Sequence, residues 1–256
     1  MRIVPRVAIA AIALATADLA IASDRLPPDF VYLADVAPSI TQDMRYAGST
    51  NFTGAPVAGY SAAECILARK TALALRQVQQ DLAPLGYALK VYDCYRPTRA
   101  TRAFMAWARK PPGSVRSPTR RYHPHVARAD LIGSGYISSA STHSTGTAVD
   151  LTLIRLPNAP PLPLPVADSG CGSPPDGTVD MGTGFDCFDP RSHAGAAGLS
   201  PLQRAARKTL ADAMRRHGFR AYTREWWHFS HEDRGAGTLF DVAIPPRSSA
   251  PPAVAK

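Results

Sequence analysis

Ser141-Thr142-His143-Ser144-Thr145-Gly146-Thr147-Ala148-Val149-Asp150-Leu151-Thr152-Leu153 is the stretch that decides the fold. Gly146 lets the backbone turn tightly. Beyond it the chain alternates with the period of a strand. Val149, Leu151 and Leu153 share one face, and Ala148, Asp150 and Thr152 share the other. This predicts a strand that carries Asp150 with its carboxylate pointing away from the core, and a turn that folds His143 back toward it. A histidine and an aspartate on such rigid backing are good ligands for a metal such as zinc, which takes nitrogen and oxygen donors.

A catalytic zinc site needs a third protein ligand and an open position. Arg224-Glu225-Trp226-Trp227-His228-Phe229-Ser230 supplies His228. It also supplies Glu225, a carboxylate outside the ligand set that can take a proton from the attacking water. Residues three apart on a regular strand face opposite ways. Glu225 is therefore expected before the strand or at a bulge. Trp226 and Trp227 read as core.

The pattern SxHxxGxAxD followed by EWWHF resembles the zinc D-alanyl-D-alanine dipeptidases, relatives of the zinc D,D-carboxypeptidases and of the hedgehog domain. The resemblance extends to Tyr46-Ala47 with Asn51-Phe52-Thr53-Gly54, to Tyr95-Arg96-Pro97, to Met181-Gly182-Thr183 with Phe185-Asp186, and to Arg191-Ser192-His193. These blocks follow the family's order and span roughly residues 35 to 244. The resemblance implies a single α+β domain, a small mostly antiparallel sheet flanked by helices. It implies one zinc ion per chain on His143, Asp150 and His228, with Glu225 moving protons. Arg96 would stabilise the negative oxygen that develops on the attacked carbonyl. Asp186 would receive the substrate's ammonium group with help from Tyr46, and Ser141 would also lie on the substrate side. The implied partner is a small dipeptide, D-Ala-D-Ala or similar. One rival is a carboxypeptidase or endopeptidase that trims longer peptidoglycan stems with the same metal set. The other is a non-catalytic envelope module with structural zinc, for which Glu225 and Arg96 would have no use.

Residues 1–22 read as a secretory signal. Arg2 and Arg6 precede an apolar run from Val7 to Ala20, and Ala20-Ile21-Ala22 fits the cleavage rule. The run is too short to span a membrane easily, and nothing later is long and apolar enough. The protein is expected to be exported, periplasmic or secreted. The formal charge is +9, and it falls to +8 when Arg2, Arg6 and Asp18 leave. That level suits anionic surroundings such as the cell envelope. Arg116, Arg120, Arg121 and Arg128 cluster among Pro, Ser and Gly, without the aromatic interleaving of a nucleic-acid face; they read as a solvated loop. Cys65, Cys94, Cys171 and Cys187 have no CxxC spacing. In an exported protein they favour disulfides over a thiolate metal site, with Cys65–Cys94 and Cys171–Cys187 closing the shortest loops.

The remaining punctuation places the elements. Residues 35 to 60 read as irregular chain with some strand. Ser61-Ala62-Ala63-Glu64 has the form of a capping box and predicts a helix to about Leu82, ended by Pro84 and Gly86. A strand over Tyr87–Tyr92 leads to Arg96, which Pro97 holds extended. Thr98 is expected to cap a helix to about Arg109. Residues 110 to 135 read as loop, and the His123-Pro124-His125 pair is left outside the site. Residues 155–179 are a proline-rich insertion, expected to be mobile in part. Asp180 and His193 receive no role in the chemistry. Ser200-Pro201-Leu202-Gln203 opens a helix that His217-Gly218 closes. Thr238–Ile244 reads as a last strand, 23–244 as the folded domain, and 245–256 as a mobile tail.

Overall fold

The computed structural model describes residues 25–111, 117–157, 159, 169–233 and 237–247. The leader expected at residues 1–22, residues 158 and 160–168 of the proline-rich insertion, Arg116, and the end of the tail lie outside the described residues.

The fold is α+β. Strands β1 (Phe30–Tyr32) and β3 (Ile66–Ala68) form a small antiparallel pair. The main sheet contains β2 (Thr41–Gln42), β4 (Tyr87–Asp93), β5 (Ala148–Arg155), β6 (Phe219–Ala221) and β7 (His228–His231), in the order β2-β4-β5-β7-β6. Only the β2–β4 pairing is parallel. The strand read from the opening motif, β5, is therefore the central one. A short helix α1 (Leu33–Val36) precedes the sheet, and three longer helices flank it: α2 (Arg69–Leu82), α3 (Thr98–Arg109) and α4 (Pro201–Arg216). Leu75, Val78 and Leu82 of α2 and Leu210, Ala213 and Met214 of α4 join Val149, Leu151 and Leu153 in one apolar core.

The register sets the site. Leu89 stands opposite Leu153, Val91 opposite Leu151, and a bulge between Val91 and Asp93 then brings Asp93 opposite Asp150. On the other side Asp150 stands opposite His228. Asp93, Asp150 and His228 thus form one row across three strands. Gly146 turns the chain into β5 at φ 73°. A Cβ there would lie 2.4 Å from the Phe30 ring, so glycine is required by conformation and by space.

Capping chemistry explains α4 completely. Ser200 accepts from the Gln203 amide, and the Gln203 side chain accepts from the Ser200 amide. Such a cap is worth about 1 kcal/mol. The capping box expected at Ser61–Glu64 does not form. Residues 66–68 are drawn into β3 by pairing with β1, Cys65 is tied to Cys94, and α2 begins only at Arg69. Tertiary pairing has overridden a local signal that α4 was free to use. Thr98 is the first residue of α3, not its cap; Phe240 O accepts from the Thr98 amide and Asp241 Oδ1 from the Arg99 amide.

Two other expectations are corrected. Thr238–Ile244 is not a strand. Its amides go to single groups on separate loops: Phe240 to Ser144 O, Val242 to the Tyr95 hydroxyl, Ile244 to Gly59 O. Only Tyr60 and Ile244 make a bridge. Arg120, Arg121 and Arg128 are only partly solvated. They are half-buried and donate to Pro124 O, Gly172 O and Lys110 O, satisfying loop carbonyls that have no ladder partner. Asp150 does stand on the face opposite Val149, Leu151 and Leu153, as expected, but that face is not open to solvent: Asp150 lines a cavity and is 2% exposed.

Both expected disulfides are present, Cys65–Cys94 and Cys171–Cys187. No described helix is long and apolar enough to cross a membrane.

Candidate active site

His143 sits in a 3-10 turn, Thr142–Thr145, which Ser141 caps by accepting from the His143 amide. Asp150 is on β5 and His228 begins β7. Three side-chain atoms converge. His143 Nε2 is 3.0 Å from His228 Nδ1 and 3.3 Å from Asp150 Oδ1, and the last two are 3.0 Å apart. Second partners decide what these atoms can be. His143 Nδ1 donates to Cys94 O at 2.6 Å, which turns its Nε2 toward the other two donors. His228 Nε2 lies 3.3 Å from the Ser230 hydroxyl and 3.4 Å from that of Thr142, and its Nδ1 faces inward. Burial lowers the His228 pKa, although Asp150 opposes this. Burial alone would raise the Asp150 pKa, but His143 and His228 hold it well below the usual carboxylate range.

The result is two imidazole nitrogens and a carboxylate oxygen facing one another in a buried spot. A shared cation resolves that arrangement. Spacings of 3.0–3.3 Å are those of donors about 2 Å from a common centre, the distance zinc takes from nitrogen and oxygen. The outer hydrogen bonds to Cys94 O, Ser230 and Thr142 are the kind that orient metal ligands. The residues present therefore fit a metal ion.

Glu225 lies in the turn before β7. Its amide donates to Tyr222 O and its carbonyl accepts from the His228 amide. The reversal places it outside the strand, as the spacing demands, and it lines the same cavity as the three donors. Burial raises its pKa well above the ordinary value, with Asp150 and Asp186 adding to the rise.

Arg96 is held from both sides. Its Nε donates to Asp93 Oδ2 at 2.8 Å, and its Nη2 lies 2.6 Å from the same oxygen and 3.5 Å from Asp150 Oδ2. The guanidinium lies over the rings of Phe104 and Tyr46. Burial disfavours its charge, but Asp93, Tyr46, Tyr60 and Asp150 together outweigh this and raise the Arg96 pKa, so the group stays cationic. The sequence reading missed Asp93. It is fully buried and also accepts from the Tyr60 hydroxyl at 2.6 Å. Its place three residues before Arg96 was the available signal.

Asp186 is the one non-glycine residue among those described with positive φ, at 60°. That conformation is uncommon outside glycine, though aspartate tolerates it. It directs a buried carboxylate into the cavity, where both oxygens accept from the Tyr46 hydroxyl at 3.0 Å. Burial pushes the Asp186 pKa well up, and Asp150 adds to it; the Tyr46 hydrogen bond and Arg96 pull the other way. The cavity holding these groups and Ser141 measures about 510 Å³. All eight site residues expected from the sequence line it.

The histidines left outside the site are indeed elsewhere, though His123 is buried instead of exposed. His123 bonds to Val126 O and His125 to Asp189. Asp180 serves structure, accepting from the Gly182 amide and from Gln203. His193 bonds to the Tyr136 hydroxyl. Trp226 and Trp227 are core, with Trp226 Nε1 donating to Thr183.

Residues 28–245 match the D-ala-D-ala dipeptidase family of M15 peptidases. The chain is 37% identical over 216 residues to a D-alanyl-D-alanine dipeptidase of Enterococcus faecalis, covering 84% of this chain and 98% of that protein. A protein of the same name from Streptomyces coelicolor is 34% identical over 217 residues, with the same coverage of each. One from Escherichia coli is 30% identical over 201 residues, covering 78% of this chain and 83% of that protein.

Proposed function

The chain belongs to the D-Ala-D-Ala dipeptidase family of M15 peptidases, and we propose that it is a zinc enzyme hydrolysing free D-Ala-D-Ala and similar small dipeptides in the cell envelope. The observation that carries the reading is the distribution of charge in one cavity. A cluster of metal donors, a cation and a carboxylate outside the donor set occupy the chemical end. A second buried carboxylate, Asp186, is outside the donor set and accepts from the Tyr46 hydroxyl.

His143, Asp150 and His228 would hold the metal, which when bound supplies a Lewis acid for the scissile carbonyl and the attacking water. Glu225 accepts the proton that the water loses and returns it to the leaving amine nitrogen. Arg96 donates to the oxygen that becomes negative as the carbonyl is attacked. Asp93 fixes its guanidinium beforehand, so no reorganisation is needed at that moment. Asp186, with Tyr46, receives the ammonium of the amino-terminal residue. Ser141 helps line the substrate side, and its hydroxyl orders the His143 turn.

Zinc is the favoured metal because the donors are two nitrogens and one oxygen at tetrahedral spacing. Export is supported by the amino-terminal signal in the sequence and by two disulfides, which suit an oxidising compartment. The test of substrate is direct: rates are compared on free D-Ala-D-Ala, on its N-acetylated form and on an acylated pentapeptide with the same end. The free dipeptide should be strongly preferred. Equal rates on the acylated pentapeptide would replace this reading with a carboxypeptidase.

A further inference from the structure

The proline-rich segment ends in a charged knot that no step of the chemistry uses. Asp176 Oδ2 accepts from Arg45 Nη2 at 2.5 Å, from Lys90 Nζ at 2.9 Å and from the Tyr92 hydroxyl at 2.8 Å, while Oδ1 accepts from Thr178. Asp43 joins the same two cations, its Oδ2 2.9 Å from each. Two cations and two carboxylates therefore balance. The side chains of Arg45, Lys90 and Asp176 are 6%, 10% and 16% exposed, so this is an inner tie and not a surface ion pair, which would be worth little.

Two of the groups tied to Asp176 lie directly behind the pair proposed to recognise the substrate's amino end. Arg45 is the neighbour of Tyr46 in the 3-10 turn Arg45–Ala47. Tyr92 stacks on Phe185 at 4.7 Å between ring centres, nearly parallel, and Phe185 is the neighbour of Asp186. The same segment also pairs with the Asp186 loop through its backbone. The Ser173 amide donates to Phe185 O and the Gly184 amide to Cys171 O, and Cys171 is bonded to Cys187. Asp186 needs such backing because it holds an uncommon backbone conformation.

We propose that Asp176 is a positioning residue for amino-end selectivity, fixing Tyr46 through Arg45 and Asp186 through Tyr92 and Phe185. The inference rests on the reading of Asp186 as the ammonium partner. Asp176 itself touches no substrate. It sets the distance between the two groups that do.

Three variants separate the alternatives: Asp176→Asn, Asp176→Glu and Asp186→Ala, assayed on D-Ala-D-Ala and on N-acetyl-D-Ala-D-Ala. Asp176→Asn should raise KM for the free dipeptide roughly tenfold, the scale of a sub-ångström misplacement, while kcat changes less than twofold. Its kcat/KM on the acetylated dipeptide should stay the same, so the preference for a free amine falls. Asp176→Glu should restore part of that preference. A general structural role would lower both substrates together. If Asp176→Asn fails to fold, Lys90→Gln removes one of the three groups on Oδ2 and is judged by the same ratio. A preference unchanged in Asp176→Asn but lost in Asp186→Ala overturns the role of Asp176 alone. A preference unchanged in Asp186→Ala overturns the reading of Asp186, and this proposal with it.

Discussion

Asp150 and His228 stand directly opposite each other in the β5–β7 ladder, with Oδ1 3.0 Å from Nδ1. A slip of one residue in either strand would send one of these side chains to the far face. The metal centre therefore depends on sheet register as much as on residue identity.

Metal content should follow from that pairing. About one metal ion per chain is expected by mass spectrometry, lost in His143→Ala, Asp150→Ala or His228→Ala. Chelation should also lower the melting temperature, because an ion bound only by the folded state stabilises it. Full activity and an unchanged melting temperature after exhaustive chelation would refute the centre.

Glu225→Ala should retain the metal and lose activity roughly 10²–10⁴-fold, the usual contribution of a positioned acid/base. Metal analysis and kinetics on the same preparation check it. A loss of metal equal to the loss of activity would make Glu225 a ligand instead.

Arg96→Lys keeps a charge but cannot reproduce the fork that grips Asp93 while facing the cavity. We expect kcat to fall roughly 10²–10³-fold with little change in KM, as for loss of an oxyanion donor. Arg96→Ala should also cost about 3–5 kcal/mol of stability, since it strands buried Asp93. Denaturant titration of both variants checks this; equal stability would show that Asp93 is satisfied without Arg96.

Gly146→Ala should destabilise by about 2–5 kcal/mol, combining left-handed strain with the overlap on Phe30. Adding Phe30→Leu should recover part of the loss. A melting temperature unaffected by Gly146→Ala would contradict the close approach.

Asp176 gives a pH signature. Burial would raise its pKa, but hydrogen bonds from Lys90, Tyr92 and Thr178 prevail and the folded value lies below the ordinary one. Its contribution is thus present above the unfolded pKa of about 3.9 and is lost as pH falls through the lower folded value. The wild type should lose stability below about pH 4, and Asp176→Asn should show a shallower acid loss. Identical acid slopes in the two proteins would show that the knot does not depend on that charge.

The legible parts of this chain were those that local chemistry decides. Alternation around Asp150 gave the central strand, and Ser200 with Gln203 gave the start of α4. The donor set was legible because its motifs are short and the ligand chemistry is restrictive. Where reading failed, a distant partner decided. Ser61–Glu64 has a good helix signal, but β1 and Cys94 claim the residues just after it. Thr238–Ile244 has a strand's composition and meets only separate loops. The Asp176 knot joins residues from positions 43, 45, 90, 92 and 176, and no local pattern announces such a meeting.

The row formed by Asp93, Asp150 and His228 also has a consequence in time. The three lie far apart in the chain and become neighbours only when β4, β5 and β7 have joined. His228 is the last of the three metal donors along the chain, so the cluster is incomplete until β7 has paired with β5. A chain that stops before His228 lacks the third donor of the cluster. Assembly of the three donors is therefore a report that β7 has closed onto β5.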